Sequence, residues 1–109
     1  MEIKTIIYKT DSDKEPFTEW RKGLDFQIQG IVSGRLTRVR SGNLGACKPL
    51  KGWQGLHEIV IDIGPGYRVY YYEEAPTTFI ILWGGEKKSQ KRDIEKAYRY
   101  LMDHTEGKP

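Results

Sequence analysis

Residues 56–72 read Leu56-His57-Glu58-Ile59-Val60-Ile61-Asp62-Ile63-Gly64-Pro65-Gly66-Tyr67-Arg68-Val69-Tyr70-Tyr71-Tyr72. The side chains alternate. His57, Ile59, Ile61 and Ile63 face one way, and Leu56, Glu58, Val60 and Asp62 the other, which is the period of a strand. Gly64-Pro65-Gly66 makes a tight connection, because glycine tolerates positive φ and proline fixes its own. Tyr67 to Tyr72 then returns as an antiparallel partner rich in β-forming residues. The spacing predicts strands at 56–63 and 67–74.

Downstream, Ala75-Pro76-Thr77-Thr78 turns the chain again. Phe79-Ile80-Ile81-Leu82-Trp83 is apolar on both faces, as a central strand is, and predicts a strand at 79–84 broken by Gly84-Gly85. Ser89 offers a cap for a last helix at 89–102, where Ile94, Ala97, Tyr98 and Leu101 form an apolar stripe. Upstream, Ile3, Thr5 and Ile7 alternate with their neighbours over 2–8 and read as a strand. Asp11, Ser12 and Asp13 offer an N-cap, and Pro16 suits the first turn of a short helix at 14–23. A second helix at 25–41 carries Leu24, Ile28, Ile31, Val32, Leu36 and Val39 on one face, with Gly30 and Gly34 on the other side favouring close approach of a neighbouring backbone. Residues 42–55 form a glycine-rich loop. The order β-α-α-β-β-β-α is that of an α+β domain with a mainly antiparallel four-stranded sheet. One domain over residues 1–109 is expected.

Composition narrows the function. The chain has 18 Lys+Arg against 15 Asp+Glu, a net +3, and 12% aromatic residues in periodic runs, which argues against disorder. Its longest apolar run, Phe79 to Trp83, is far short of a membrane span. The N-terminal residues lack a signal-peptide layout, and a single cysteine, Cys47, makes a reducing cytoplasm the expected compartment. One cysteine and two distant histidines, His57 and His104, argue against a zinc site. The positive excess lies in residues 26–57, which hold Arg35, Arg38, Arg40, Lys48 and Lys51 and no acid. A second basic cluster, Lys87, Lys88, Lys91 and Arg92, stands at the start of the last helix. Two basic clusters on a small domain fit a polyanionic partner. Lys48 and Lys51 are candidates to follow a nucleic-acid backbone, and Trp53 to stack a base or to close over the core. Arg35 falls in the middle of its helix's apolar face, and a carboxylate partner is expected for it, Glu58 or Asp62. Cys47 reads as inert.

Three segments carry a resemblance. They are Gly42-Asn43-Leu44-Gly45-Ala46-Cys47-Lys48-Pro49-Leu50, Gly64-Pro65-Gly66-Tyr67-Arg68-Val69-Tyr70-Tyr71, and Gly84-Gly85-Glu86-Lys87-Lys88-Ser89-Gln90-Lys91-Arg92-Asp93-Ile94. In this order and spacing the chain resembles the HigB-type, phage-derived addiction-module killer proteins of the RelE/ParE toxin superfamily. The resemblance implies a toxin neutralised by a cognate antitoxin, often a helix-turn-helix protein. RelE-like members are metal-independent endonucleases that cleave mRNA on the ribosome, using the RNA's own 2′-OH, so by the resemblance neither metal nor cofactor is expected. In that chemistry the protein holds the 2′-OH in line, accepts its proton and stabilises charge on the phosphate. By the resemblance, Arg68 and Lys87 are the phosphate-stabilising cations, with Lys88 and Gln90 as neighbours. Glu58 is the better placed general base, because the alternation puts His57 among apolar residues. Val60 replaces an arginine common in the family, and Asp93 falls near the family's base-stacking tyrosine. Arg68, Lys87 and Glu58 are expected to converge on one concave surface rimmed by Lys48 and Lys51. A ParE-like toxin that inhibits gyrase by binding, and a catalytically decayed toxin that still binds its antitoxin, are the alternatives.

Overall fold

The 56–72 hairpin forms in the register its alternation dictates. Strand β3 (Leu56–Ile61) runs antiparallel to β4 (Tyr67–Ala75), with Ile61 opposite Tyr67 and Leu56 opposite Tyr72. Gly64 and Gly66 have φ of +54° and +79°, so the turn depends on glycine at both positions. The computed structural model describes residues 1–106. Ahead of the hairpin come β1 (Lys4–Ile7), α1 (Pro16–Lys22), α2 (Phe26–Arg40) and β2 (Cys47–Pro49); after it come β5 (Thr78–Glu86), a 3-10 turn (Lys87–Ser89) and α3 (Gln90–Glu106). The class is α+β. The sheet, however, has five strands in the order β1-β5-β4-β3-β2, not four, and β1 joins β5 in parallel. The extra strand, β2, lies in the expected loop. Three residues are too few to show a period, and pairing with β3 alone holds them extended.

Each face of the sheet carries a hydrophobic layer. On one, Val32, Leu36 and Val39 of α2 and Phe17 of α1 pack on Ile59, Ile61, Val69, Tyr71, Phe79 and Ile81. On the other, Ala97 and Leu101 of α3 pack on Leu56, Tyr70, Ile80 and Leu82. Burial of this apolar area is the main stabilising term.

Several local expectations are corrected. Strand β5 does not break at Gly84-Gly85 but runs on to Glu86. Both glycines admit neighbours. A Cβ on Gly84 would lie 2.3 Å from the Trp20 ring, and one on Gly85 1.9 Å from Asp93 Oδ2. Gly30 and Gly34 meet nothing within 4 Å and are exposed, so no backbone approaches there. Ile31 is exposed as well. The N-cap of α1 is Glu15 rather than the Asp11–Asp13 run. The carboxylate predicted beside Arg35 is absent. Its guanidinium, though buried, donates to the Leu44 carbonyl and lies 3.9 Å from Cys47 Sγ. Glu58 sits on the α3 face of the sheet, opposite α2, and Asp62 is exposed beyond the end of β3. A backbone carbonyl of the following loop therefore meets the arginine's donors.

Candidate functional site

Register decides which polar side chains meet. Lys48 of β2 stands opposite Glu58 of β3, Glu58 opposite Tyr70 of β4, and Val60 opposite Arg68. Opposed residues share a face, so all five look toward α3. The Glu58 side chain is only 1% exposed, and its two oxygens are divided among three partners. Lys48 Nζ lies 3.5 Å from Oε2 and Arg68 Nε 3.8 Å from Oε1, while Gln90 Nε2 donates to Oε1 at 2.9 Å. Gln90 opens α3, so the helix brings the amide down onto the sheet.

Lys87 reaches the same end of the sheet through backbone geometry. Its N–H donates to the Gly66 carbonyl at 2.9 Å. A Cβ built on Gly66 would sit 3.3 Å from Lys87 Cβ and 3.6 Å from Arg68 Nη1, so both side chains border that glycine. Arg68 is mostly covered, at 11% side-chain exposure, and its Nη1 donates to the Tyr67 carbonyl. Among the described residues its Nε has no hydrogen-bond partner, and neither does the buried Tyr70 hydroxyl. Burial, reinforced by the Asp93 and Glu58 carboxylates, pushes the Tyr70 hydroxyl well above the ordinary tyrosine value, with Arg68 opposing weakly.

The remaining sequence candidates divide. Lys48 and Gln90 belong to the cluster. Lys51 is exposed in the turn after β2 and makes no ion pair among the described residues. Trp53 is half-buried, edge-on to Tyr98 of α3 at 5.1 Å, and so closes over the second apolar layer. Lys88 is 82% exposed, pairs with Glu86 at 3.7 Å and lines a groove with Trp20 and Trp83 rather than joining Glu58.

One arrangement escaped the sequence reading. The buried Asp93 carboxylate accepts from Trp83 Nε1 at 3.0 Å and lies 2.5 Å from Ser89 Oγ, over Gly85. It ties α3 and the 3-10 turn to β5 and so holds Lys87 and Gln90 where they stand. The Gly84-Gly85 pair was its trace in the sequence, read there as a strand break. Cys47 is half-buried; burial raises its thiol pKa and Arg35 pulls it the other way. Among the described residues no group of three His, Cys, Asp or Glu is placed to hold a metal ion, and no helix is long and apolar enough to cross a membrane.

No family model matches the chain. An uncharacterised protein of Haemophilus influenzae is 34% identical to it over 82 residues, covering 74% of this chain and 81% of that one. The chain belongs to that protein's family. Among solved structures it is similar to a mutant of the E. coli toxin RelE in the free state, with a TM-score of 0.64 and 14% identity over 93% of this chain and 99% of that one. The chain therefore has a RelE-like fold. In this member the face of the sheet that carries Glu58 and Arg68 has Val60 opposite the arginine, and Asp93 is taken up by Trp83 and Ser89, not left free at the helix start.

Proposed function

We propose that this protein is the toxin of a type II toxin–antitoxin module, of the HigB type, and that it cleaves mRNA on the ribosome without a metal. The observation that carries the reading is the placement of Arg68 and Lys87 together beside Gly66, with Arg68 backed by the buried Glu58. Two cations at one end of a sheet, one preset by a buried carboxylate, suit a phosphate whose charge grows in the transition state. The RelE-like fold supports the assignment.

In the proposed reaction the ribose 2′-oxygen attacks the adjacent phosphorus and the 5′-oxygen leaves, giving a 2′,3′-cyclic phosphate. The leaving oxygen takes its proton from water. Glu58 is covered in the free protein, and Lys48 is its movable cover, 65% exposed and reaching Oε2 across 3.5 Å. A phosphate that draws Lys48 outward frees Oε2 to accept the 2′-OH proton. Lys48 and Lys51 then follow the RNA backbone. The partner that silences the protein is an antitoxin, of helix-turn-helix type by the family resemblance.

Induced expression tests this. Wild type should arrest growth and leave discrete, codon-linked cuts in cellular mRNA by primer extension. Arg68→Ala should abolish both while keeping a native circular-dichroism spectrum. One observation favours a second reading, a binding toxin that blocks gyrase. Val60 faces Arg68 where the family commonly has an arginine, which leaves the site one cation short. Growth arrest with DNA damage and intact mRNA would establish that reading instead.

A further inference from the structure

The 3-10 turn has two sides. Lys87 borders Arg68 at Gly66, and the next residue, Lys88, turns into a groove that the reaction above does not use. Half-buried Trp20 of α1 and Trp83 of β5 wall this groove over the Gly84–Gly85 backbone, and Lys88 and Arg92 form its rim; its volume is about 300 Å³. A second hollow of about 500 Å³ shares Lys88, Ser89 and Arg92 with it and extends along α3 to Lys91 and Glu95. The groove walls are firmly set. Trp20 packs its ring on Gly84, and the Trp83 indole N–H is held by Asp93 while Lys96 Nζ lies over that ring, 4.2 Å from its centroid.

The cations are differently placed. Lys91 and Arg92 are exposed and make no ion pair among the described residues, and Lys88 has only the surface contact with Glu86. Glu86, Asp93 and Glu95 lie along the same two hollows, but Asp93 is held by Trp83 and Ser89 and Glu86 pairs with Lys88, so Glu95 alone is left to offset Lys91 and Arg92. Rigid indole walls beside unpaired guanidinium and ammonium groups match single-stranded nucleic acid, whose bases stack on aromatic rings while its phosphates meet cations. An acidic protein segment would use the cations but would gain little from two indoles held on a glycine floor.

We infer that the Trp20–Trp83 groove binds nucleotides of single-stranded RNA flanking the phosphate held at Arg68 and Lys87. The strand would cross the 3-10 turn, one lysine on each side of it. The position of these nucleotides beside that phosphate rests on the ribonuclease reading; the RNA contact does not.

Fluorescence anisotropy with a labelled 12-nucleotide single-stranded RNA of mixed sequence tests the groove. Lys88→Glu/Arg92→Glu is compared with Lys4→Glu/Lys22→Glu, which changes net charge equally at exposed sites on β1 and α1. The groove pair should weaken binding about tenfold or more and lower the slope of log affinity against log salt by about 1.4, the loss of two phosphate contacts. The control pair should change affinity by less than about threefold. Equal losses in both variants, or none in the groove variant, would overturn the inference. Primer extension on the wild type separates the two proposals. Groove-dependent RNA binding without mRNA cuts removes the ribonuclease reading and leaves the groove standing; cuts with groove-independent binding remove the groove alone.

Discussion

Glu58 and Arg68 face each other diagonally across β3 and β4, with Arg68 Nε 3.8 Å from Glu58 Oε1 and the carboxylate shut away from water. The pair is asymmetric. Glu58 also has Lys48 and Gln90, whereas among the described residues no other carboxylate lies within ion-pair reach of Arg68. Deleting the acid strands a largely covered guanidinium, so Glu58→Ala should cost about 3–5 kcal/mol by urea unfolding. Arg68→Ala leaves Glu58 with two partners and should cost no more than about 2 kcal/mol. A Glu58→Ala protein as stable as wild type would show that the carboxylate does not organise the cluster.

Glycines on opposite sides of the fold should respond with opposite sign. Gly85→Ala puts a methyl group against the Asp93 carboxylate and Gly84→Ala one against the Trp20 ring. Each should destabilise by about 1–3 kcal/mol or more. Gly30→Ala and Gly34→Ala add a methyl group in open space inside α2, and each should stabilise by about 0.5–1 kcal/mol. Thermal melts of the four variants are sufficient, and a neutral Gly85→Ala would mean that Asp93 can leave its place over β5 without cost.

Arg35 ties α2 to the loop that leads into β2. Arg35→Met keeps the stem but removes the donors that meet the Leu44 carbonyl, and should cost about 1–3 kcal/mol. Amide hydrogen exchange should speed up first around residues 44–49, because β2 loses its tether to the helix. Uniform acceleration across the chain would place the arginine's contribution elsewhere.

Burial raises the hydroxyls of Tyr8, Tyr70 and Tyr71 above the ordinary tyrosine value; a short bond to Asp103 adds to the effect at Tyr8. In the unfolded chain these groups ionise near pH 10. The folded state therefore binds more protons above that pH. The stability from these groups is fully present below about pH 10 and is lost as pH rises from there through the raised folded values. Ultraviolet titration should show them ionising together with loss of near-ultraviolet circular dichroism. Ionisation near pH 10 in a protein that stays folded would contradict their burial.

The sequence by itself determined the hairpin, the helices and the class. Alternation over 56–63 and 67–72 and the Gly64-Pro65-Gly66 turn are local signals, and local signals survive whatever packs on them. The same alternation put His57 with the apolar residues, where it stacks on Tyr71, whereas Glu58 and Arg68 share a face through the register of β3 and β4. Helix bounds were legible to within a few residues, because the apolar stripes of α2 and α3 end where polar and glycine residues begin.

Tertiary structure alone decided the rest, because those features depend on which strand lies beside which. Strand β2 exists only through its pairing with β3, and that pairing sets Lys48 over Glu58. Arg35 lost its expected carboxylate because α2 and Glu58 lie on opposite faces of the sheet, a fact that no period within α2 encodes. Gly84 and Gly85 read as a break, yet they lie within β5 because Trp20, 64 positions before Gly84, and Asp93 must approach the backbone there. Lys87 and Lys88 are identical neighbours in sequence, and the 3-10 turn sends one toward Arg68 and the other toward two tryptophans. Side-chain type and local period are properties of a segment. Which groups a buried charge meets is a property of the packed sheet, and only long-range contacts specify it.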